Sequence, residues 1–326
     1  MTGGTGLVGR HLLEALRTRG LPVRALVRNS ASAAQVRALG AVPLEGEVED
    51  PALWDRIGEC SAIIHAAALI TARAGWSRYQ AVNVDAPRRA AERARQLGVP
   101  IVLVSSVAVY GPAGDGGGAE SLDENFPFGP LDDPNIYARS KRLGELAFWE
   151  GAAGSRAAAF RPCVIYGEGD RQFLPRVIRL ARSGFLPVFG HDPQPLALVH
   201  ARHIAQAILL CLDGGNGWGR PYNLVDPWRM AAPEFIAAIG RGLNSRVRPV
   251  RIPMPLARFA AGAADLAVGL LPGSLPSKPS GIVRFWRGTN PYSARAVVAE
   301  LGWKPDLAPE QGIPAAVKGI MAESGH

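Results

Sequence analysis

Tyr137 and Lys141 stand four residues apart in Tyr137-Ala138-Arg139-Ser140-Lys141. On a helix that is one turn, so both side chains leave the same face. A free tyrosine titrates near 10 and is a poor base at neutral pH. An ammonium beside it stabilises the phenolate and brings that value toward the working range. With six tyrosines and four lysines in 326 residues, the pairing exceeds what chance supplies. The competing reading is an exposed helix lysine beside a packed tyrosine. Ser105-Ser106 closes the apolar run Ile101-Val102-Leu103-Val104. Hydroxyls at the carboxyl end of a parallel strand face the crevice where ligands bind, and one of the two is expected to cap or turn the chain. Neither serine lies in a G-x-S-x-G elbow, so no acyl-transfer triad is indicated.

A second constellation opens the chain. Gly3, Gly6 and Gly9 recur in Thr2-Gly3-Gly4-Thr5-Gly6-Leu7-Val8-Gly9, and Leu12, Leu13 and Leu16 then share one helical face up to Gly20. A glycine turn opening a helix is a phosphate cradle, because a pyrophosphate can approach the backbone and the helix N-terminus favours negative charge. The competing reading is a helix cap on a tight turn. Such a turn ordinarily follows a strand, and none precedes it here. The expectation is therefore that the native chain carries roughly 5–7 more residues upstream, an ordinary strand length.

Positioning these groups needs alternating elements. Val23–Val27, Val42–Glu45, Ala62–Ala66 and Ile101–Val104 read as strands; Ser32–Leu39, Pro51–Ile57, Tyr79–Leu97 and Ile136–Glu150 read as helices. That rhythm predicts an α/β fold with a doubly wound, parallel Rossmann-type sheet whose first strand is missing from this start. Gly111–Pro130, with Gly116-Gly117-Gly118, reads as a surface loop. Ala157–Tyr166 reads as one strand, Ile204–Leu212 as a helix and Tyr222–Val225 as a strand returning to the sheet. Residues 1–166 with 200–226 form the expected dinucleotide-binding domain. Residues 167–199 and 227–326 form a smaller, mostly helical substrate lid. Pro255–Leu271 is apolar, interrupted by Arg258 and Asp265, and shorter than the roughly 20 residues of a membrane span. It reads as a lid helix over an apolar site, with membrane-surface contact as the alternative.

Composition removes other classes. An apolar fraction of 48% in 326 residues supplies a core and excludes a disordered or disulfide-scaffold chain. Cys60, Cys163 and Cys211 have no metal-ligand spacing, so no metal is expected and a reduced, cytoplasmic compartment is the natural reading. The net charge of +8 comes from dispersed arginines without a basic run bearing aromatics, which argues against nucleic acid.

Thr2–Gly9, His65-Ala66-Ala67, Asn83, Ser105–Gly111, Tyr137–Lys141, Arg161-Pro162 with Tyr166-Gly167, and Leu301-Gly302-Trp303-Lys304-Pro305 occur in this order. Together they resemble the extended short-chain dehydrogenase/reductase, or NAD-dependent epimerase/dehydratase, family over nearly the whole chain. The resemblance implies that Tyr137 is the general acid/base, that Lys141 holds the nicotinamide ribose and lowers the tyrosine's pKa, and that Ser106 hydrogen-bonds the reacting oxygen, with Ser105 in reserve. It implies a dinucleotide held by Gly3, Thr5, Gly6, Leu7, Val8 and Gly9, by Arg28, Glu47 and Val48, and by Ala66, Ala67 and Ala68. Asn83, Ser105, Pro162 and Val164 complete that set beside Tyr137 and Lys141. His65 reads as strand packing. The family also commonly dimerises through the helices assigned to Tyr79–Leu97 and Ile136–Glu150, so a homodimer is expected.

The second strand ends in Arg28-Asn29-Ser30 where an acidic residue would select NAD; arginine suits a 2′-phosphate, so NADP is favoured with NAD possible. Val107-Ala108 follows Ser106 in place of the Asp-Glu of the family's dehydratases, and Val164 stands where sugar-nucleotide epimerases often carry Asn. The chain is more similar to 3β-hydroxysteroid dehydrogenase-like and dihydroflavonol-reductase-like members. The leading expectation is an NAD(P)-dependent oxidoreductase acting on a secondary alcohol or ketone, steroid- or flavonoid-like. The alternatives are a nucleotide-sugar 4-epimerase with tightly bound NAD and a non-catalytic cofactor-binding protein.

Overall fold

The structure, a computed structural model, describes residues 1–70, 74–115, 122–129, 135–190, 195–257, 259, 260, 262 and 290–324. Gly116-Gly117-Gly118 and most of Pro255–Leu271 lie outside the described residues. The first half alternates as expected: α1 (Leu7–Thr18), β1 (Arg24–Val27), α2 (Ser30–Ala38), β2 (Val42–Glu45), α3 (Pro51–Asp55), β3 (Ile63–His65), α4 (Trp76–Gln80), α5 (Ala86–Leu97) and β4 (Ile101–Val104). Then follow α6 (Ile136–Gly151), β5 (Ala157–Pro162), β6 (Val164–Tyr166), α7 (Leu174–Ala181), β7 (Phe185–Phe189), β8 (Leu198–His200), α8 (Ala201–Gly214), β9 (Arg220–Leu224), α9 (Ala232–Gly242), β10 (Arg248–Ile252), α10 (Arg295–Leu301) and α11 (Pro309–Ser324).

β3, β4, β5 and β9 pair in that order, all parallel, and β1 pairs with β2 in parallel. Met1 and Thr2 lie between the two groups. The amide of Leu26 donates to Met1 O at 2.9 Å, and the amide of Thr2 donates to Ile64 O at 2.9 Å. The position where the sequence has no strand is thus bridged by two residues, with Thr2 paired to His65.

The sheet is buried on both faces, and the alternation of its side chains shows why. Ile64, Val102, Val104, Ala158 and Phe160 pack toward Val8, Leu12 and Leu16 of α1 and Ile204 and Ile208 of α8. Ile63, Ile101, Leu103, Ala157 and Ala159 pack on the other face against the alanines of α5 and Phe148 of α6. Small residues let α5 and α6 approach closely: a Cβ on Gly144 would fall 1.8 Å from Asn83 O. The helix expected over Tyr79–Leu97 begins earlier, at Trp76, and Ala81–Asp85 between α4 and α5 forms a π-turn at that same contact.

Two further expectations change. Ala157–Tyr166 is not one strand. Pro162 lacks an amide for the ladder, and beyond it the chain leaves the main sheet so that β6 pairs with β8. The tail assigned wholly to the lid divides. Val297 and Trp303 enter the core beside α8 and β9, and the Trp303 indole donates to His203 O at 2.9 Å. The remaining lid elements have their own core, in which Leu174, Ile178, Phe235, Ile239, Ile313 and Val317 join α7, α9 and α11 under the β7–β10 pair.

Candidate active site

The glycine turn is a close-contact structure. The Gly6 amide donates to Gly3 O at 3.0 Å, and the Arg10 amide donates to Gly6 O at 2.9 Å. Gly3 has φ +73°, and a Cβ there would meet the Ala66 carbonyl carbon at 2.6 Å; one on Gly9 would meet Gly3 O at 2.0 Å. α1 starts behind Gly6 without a side-chain cap. Its first amides, from Leu7 and Val8, are therefore left for an anion. The Thr2 hydroxyl lies 3.1 Å from His65 Nδ1 and accepts from the Ala67 amide at 3.2 Å, so the turn is tied to the segment Ala66–Ala68. A dinucleotide pyrophosphate fits these residues, because the glycines let the turn close tightly on itself and leave the uncapped end of α1 to receive the anion.

The second half of the site lies at the end of β4, the strand next to β3. Lys141, buried in α6, donates from Nζ to Val104 O at 2.9 Å. Burial lowers its pKa to about 8, and the Glu145 carboxylate opposes that shift. Tyr137 stands one turn earlier on α6, and the Ser106 hydroxyl acts on its pKa. Burial holds Tyr137 above the usual phenol value; Ser106 pulls it back in part, and Tyr79 adds an upward push. The sequence expected Lys141 to lower this pKa. Lys141 donates to Val104 O, and the lowering influence on Tyr137 comes from the Ser106 hydroxyl. His65 sits beneath, with its pKa lowered to about 3 by burial first and then by Lys141 and the N-terminus. It is neutral, and its Nε2 is buried without a hydrogen-bond partner.

The two serines divide as the sequence anticipated. Ser106 faces Tyr137 and also accepts from the Ala108 amide at 3.2 Å. Ser105 turns the other way, donating to Glu145 Oε2 at 2.5 Å. Its hydroxyl is therefore engaged with α6. Asn83 is engaged likewise. Its Oδ1 accepts from the Leu69 amide at 2.7 Å, and its Nδ2 donates to Leu69 O and the Ser140 hydroxyl, both at 2.9 Å. Asn83 fixes the segment after β3 to α6. Arg28 is exposed at the end of β1, with Glu47 exposed and Val48 half-buried beyond β2. Pro162 and Val164 flank the break between β5 and β6.

Sequence reasoning missed Glu145. It lies four residues after Lys141, continuing the Tyr137–Lys141 face, and that spacing was the available signal. Its carboxylate is fully buried and receives Arg161 Nη2 at 2.6 Å and Nε at 3.0 Å. Arg161 also donates to the Tyr110 hydroxyl at 2.7 Å, and Tyr110 donates to Asn223 Oδ1 at 2.8 Å. A continuous polar network thus runs behind the site from β4 to β9. Among the described residues no group of His, Cys, Asp or Glu could hold a metal, and Cys60, Cys163 and Cys211 are free thiols.

A model of the NAD dependent epimerase/dehydratase family matches residues 1–224. The chain is 36% identical over 322 residues to a ceramide reductase of Caulobacter vibrioides, covering 97% of this chain and 88% of that one. It is 30% identical over 263 residues to 4-hydroxy-2-methyl-3-oxo-4-farnesyl-3,4-dihydroquinoline-1-oxide ketoreductase of Stigmatella aurantiaca, covering 80% and 78%. Among solved structures, UDP-glucose 4-epimerase of Thermotoga maritima with UDP-glucose superposes with TM-score 0.75 at 17% identity over 99% of this chain and 98% of that one.

Proposed function

From the premise that this chain belongs to the NAD dependent epimerase/dehydratase family, we propose that it reduces the ketone of an apolar, hydrocarbon-bearing molecule, using Tyr137 as the acid, Ser106 as its hydrogen-bond partner and NADPH as the reductant. The chain is an NAD(P)-dependent oxidoreductase of the short-chain dehydrogenase/reductase type with a small-molecule substrate. The observation that carries the finer reading is the placement of Tyr137 and buried Lys141 one turn apart on α6, with Lys141 bound to Val104 O at the carboxyl end of β4, two residues before Ser106.

When bound, a nicotinamide dinucleotide supplies the redox chemistry. The chain's own residues do the rest. Gly3, Gly6 and Gly9 admit the pyrophosphate and the first turn of α1 neutralises it. Ser106 holds the carbonyl oxygen beside Tyr137, so that the phenol proton passes to that oxygen as charge develops on it. Burial keeps the Tyr137 phenol protonated, so the proton is in place for the reacting oxygen. Lys141 places a positive charge under the site and is turned by its bond to Val104 O. Arg28, exposed where β1 ends, is the group that would meet a 2′-phosphate.

Two relatives support the substrate class, since ceramide and a farnesyl-substituted quinoline oxide both carry long hydrocarbon groups. The same reading includes a homodimer through α5 and α6, where Ile136 and Leu146 are exposed on α6. The test is a turnover screen of long-chain ketones, steroid ketones and UDP-sugars with NADPH and NADH. Oxidation of NADPH by the hydrocarbon-bearing ketones is the expected result. Interconversion of UDP-sugars without net redox change would overturn the reading.

A further inference from the structure

The lid segments are unlike the rest of the molecule in charge. Residues 167–199 and 227–262 hold ten arginines against four acidic residues, so six of the chain's eight net positive charges lie in 69 residues. The described acids there are used internally. Glu168 pairs with His200 at 3.3 Å, buried Asp170 accepts the amides of Gln172, Phe173 and Leu174, and Glu234 accepts the Ala231 amide. Nine of the arginines are described; all nine are exposed, and among the described residues none forms an ion pair. An excess of exposed positive charge of this kind attracts an anionic surface.

The same segments display large apolar side chains. In the β7–β10 pair, Phe185 stands opposite Arg248 and Pro187 opposite Val250, so these four share the sheet's outer face. Phe185 is 52% exposed and Val250 43%. Immediately beyond β10 the chain is helical. Ala257 turns into the lid core, while Leu256 and Phe259, three residues apart on the other side, are 58% and 77% exposed. Phe185 and Phe259 are the exposed phenylalanines of the described chain, and both lie here. Arg248 stands among them on that face. Apolar side chains standing free among unpaired arginines match the boundary of a bilayer whose headgroups are anionic: the arginines meet phosphates, and the rings enter the acyl edge. Among the described residues no helix is long and apolar enough to cross a membrane, so the contact is peripheral.

We propose that the outer face of the β7–β10 pair and the helical residues 254–257, 259 and 260 dock this enzyme on an anionic lipid bilayer. The docking does not depend on which ketone is reduced. It is tested by co-sedimentation of the full chain with phosphatidylcholine vesicles, with and without about 30% phosphatidylglycerol, since the anionic surface potential supplies the attraction. Binding to the anionic vesicles is expected, with little to the neutral ones, and with at least about a tenfold loss of affinity between about 0.1 M and about 0.5 M salt, where the Debye length shrinks toward contact distance. The charge reversal Arg248→Glu, and separately Phe185→Ser with Phe259→Ser, each lower vesicle affinity by at least about fivefold on the same electrostatic and burial grounds. Unchanged thermal midpoints and NADPH binding show that these variants remain folded. A parent that ignores anionic vesicles at low salt, folded variants that bind like the parent, or a chain that binds RNA but no vesicle would each overturn the proposal.

Discussion

Replacing Glu145 by Gln removes one charge from the centre of the buried network, and its effects follow from the contacts it makes. The Glu145 carboxylate receives two Arg161 nitrogens and the Ser105 hydroxyl, with its own side chain and that of Arg161 almost wholly inaccessible. Gln keeps one acceptor and the shape but leaves a buried guanidinium without its counter-charge. Breaking a buried pair from one side costs about 3–5 kcal/mol. At roughly 2–4 °C per kcal/mol for a chain of this size, the thermal midpoint falls by roughly 6–20 °C. A second readout separates this from a merely structural loss. Lys141 titrates at about 8 with Glu145 pushing that value up, so removing the carboxylate moves it lower. Ketone reduction requires protonated Tyr137, which burial favours, and cationic Lys141. The parent's kcat/KM for reduction therefore holds below about 8 and declines as pH rises through that value. In the Gln variant the decline begins at lower pH. Glu145→Asp, which restores the charge, returns the break toward the parent's position. Measuring log kcat/KM against pH for the three proteins below their melting temperatures decides the matter. A Gln variant that melts with the parent, or whose pH break stays in place, refutes the account of Glu145 as the group that holds Lys141 charged.

Other outcomes follow from single contacts. Gly9→Ala places a methyl where Gly3 O already lies, 2.0 Å from the new atom, and titration calorimetry is expected to show at least about a hundredfold weaker NADPH binding, or none. Arg28→Asp exchanges a 2′-phosphate partner for a 2′-hydroxyl partner, so the ratio of kcat/KM for NADPH over NADH falls by at least about tenfold; an unchanged ratio means Arg28 does not read the cofactor. Ser106→Ala removes Tyr137's hydroxyl partner and lowers kcat by about 10–1000-fold with the fold intact. Ser105→Ala instead leaves Glu145 short of a donor and is felt in stability, by about 1–3 kcal/mol in denaturant unfolding.

The parts of this molecule that sequence discloses are those governed by local rules. The glycine turn and α1 are legible because phosphate approach and helix periodicity are written in consecutive residues. The Tyr137–Lys141 pair is legible because a helix brings residues four apart together, and the same rule applied once more would have reached Glu145. What was not legible depends on neighbours distant in the chain. Ser105 and Ser106 are chemically alike, and only the buried Glu145 on α6 decides that Ser105 turns inward. Asn83 looks like a ligand residue until Leu69 and Ser140 are seen to occupy its amide. The strand read over Ala157–Tyr166 divides at Pro162 because β8, from residue 198 onward, offers β6 a second partner. Trp303 closes the core behind α8, although its position in the sequence placed it with the lid. Lys141 and Tyr137 lie one turn apart as spacing required, and the bond from the ammonium to Val104 O depends on a strand 37 residues earlier in the chain.

The central claim is that the Tyr137 phenol gives its proton to the reacting oxygen. Phe at this position keeps the ring and its packing and removes only the hydroxyl. Steady-state reduction by Tyr137→Phe, run beside NADPH titration and thermal melting, tests the claim most directly. The account predicts turnover lower by at least about a hundredfold with cofactor affinity and melting midpoint retained. A Phe variant that reduces its ketone at the parent's rate contradicts it.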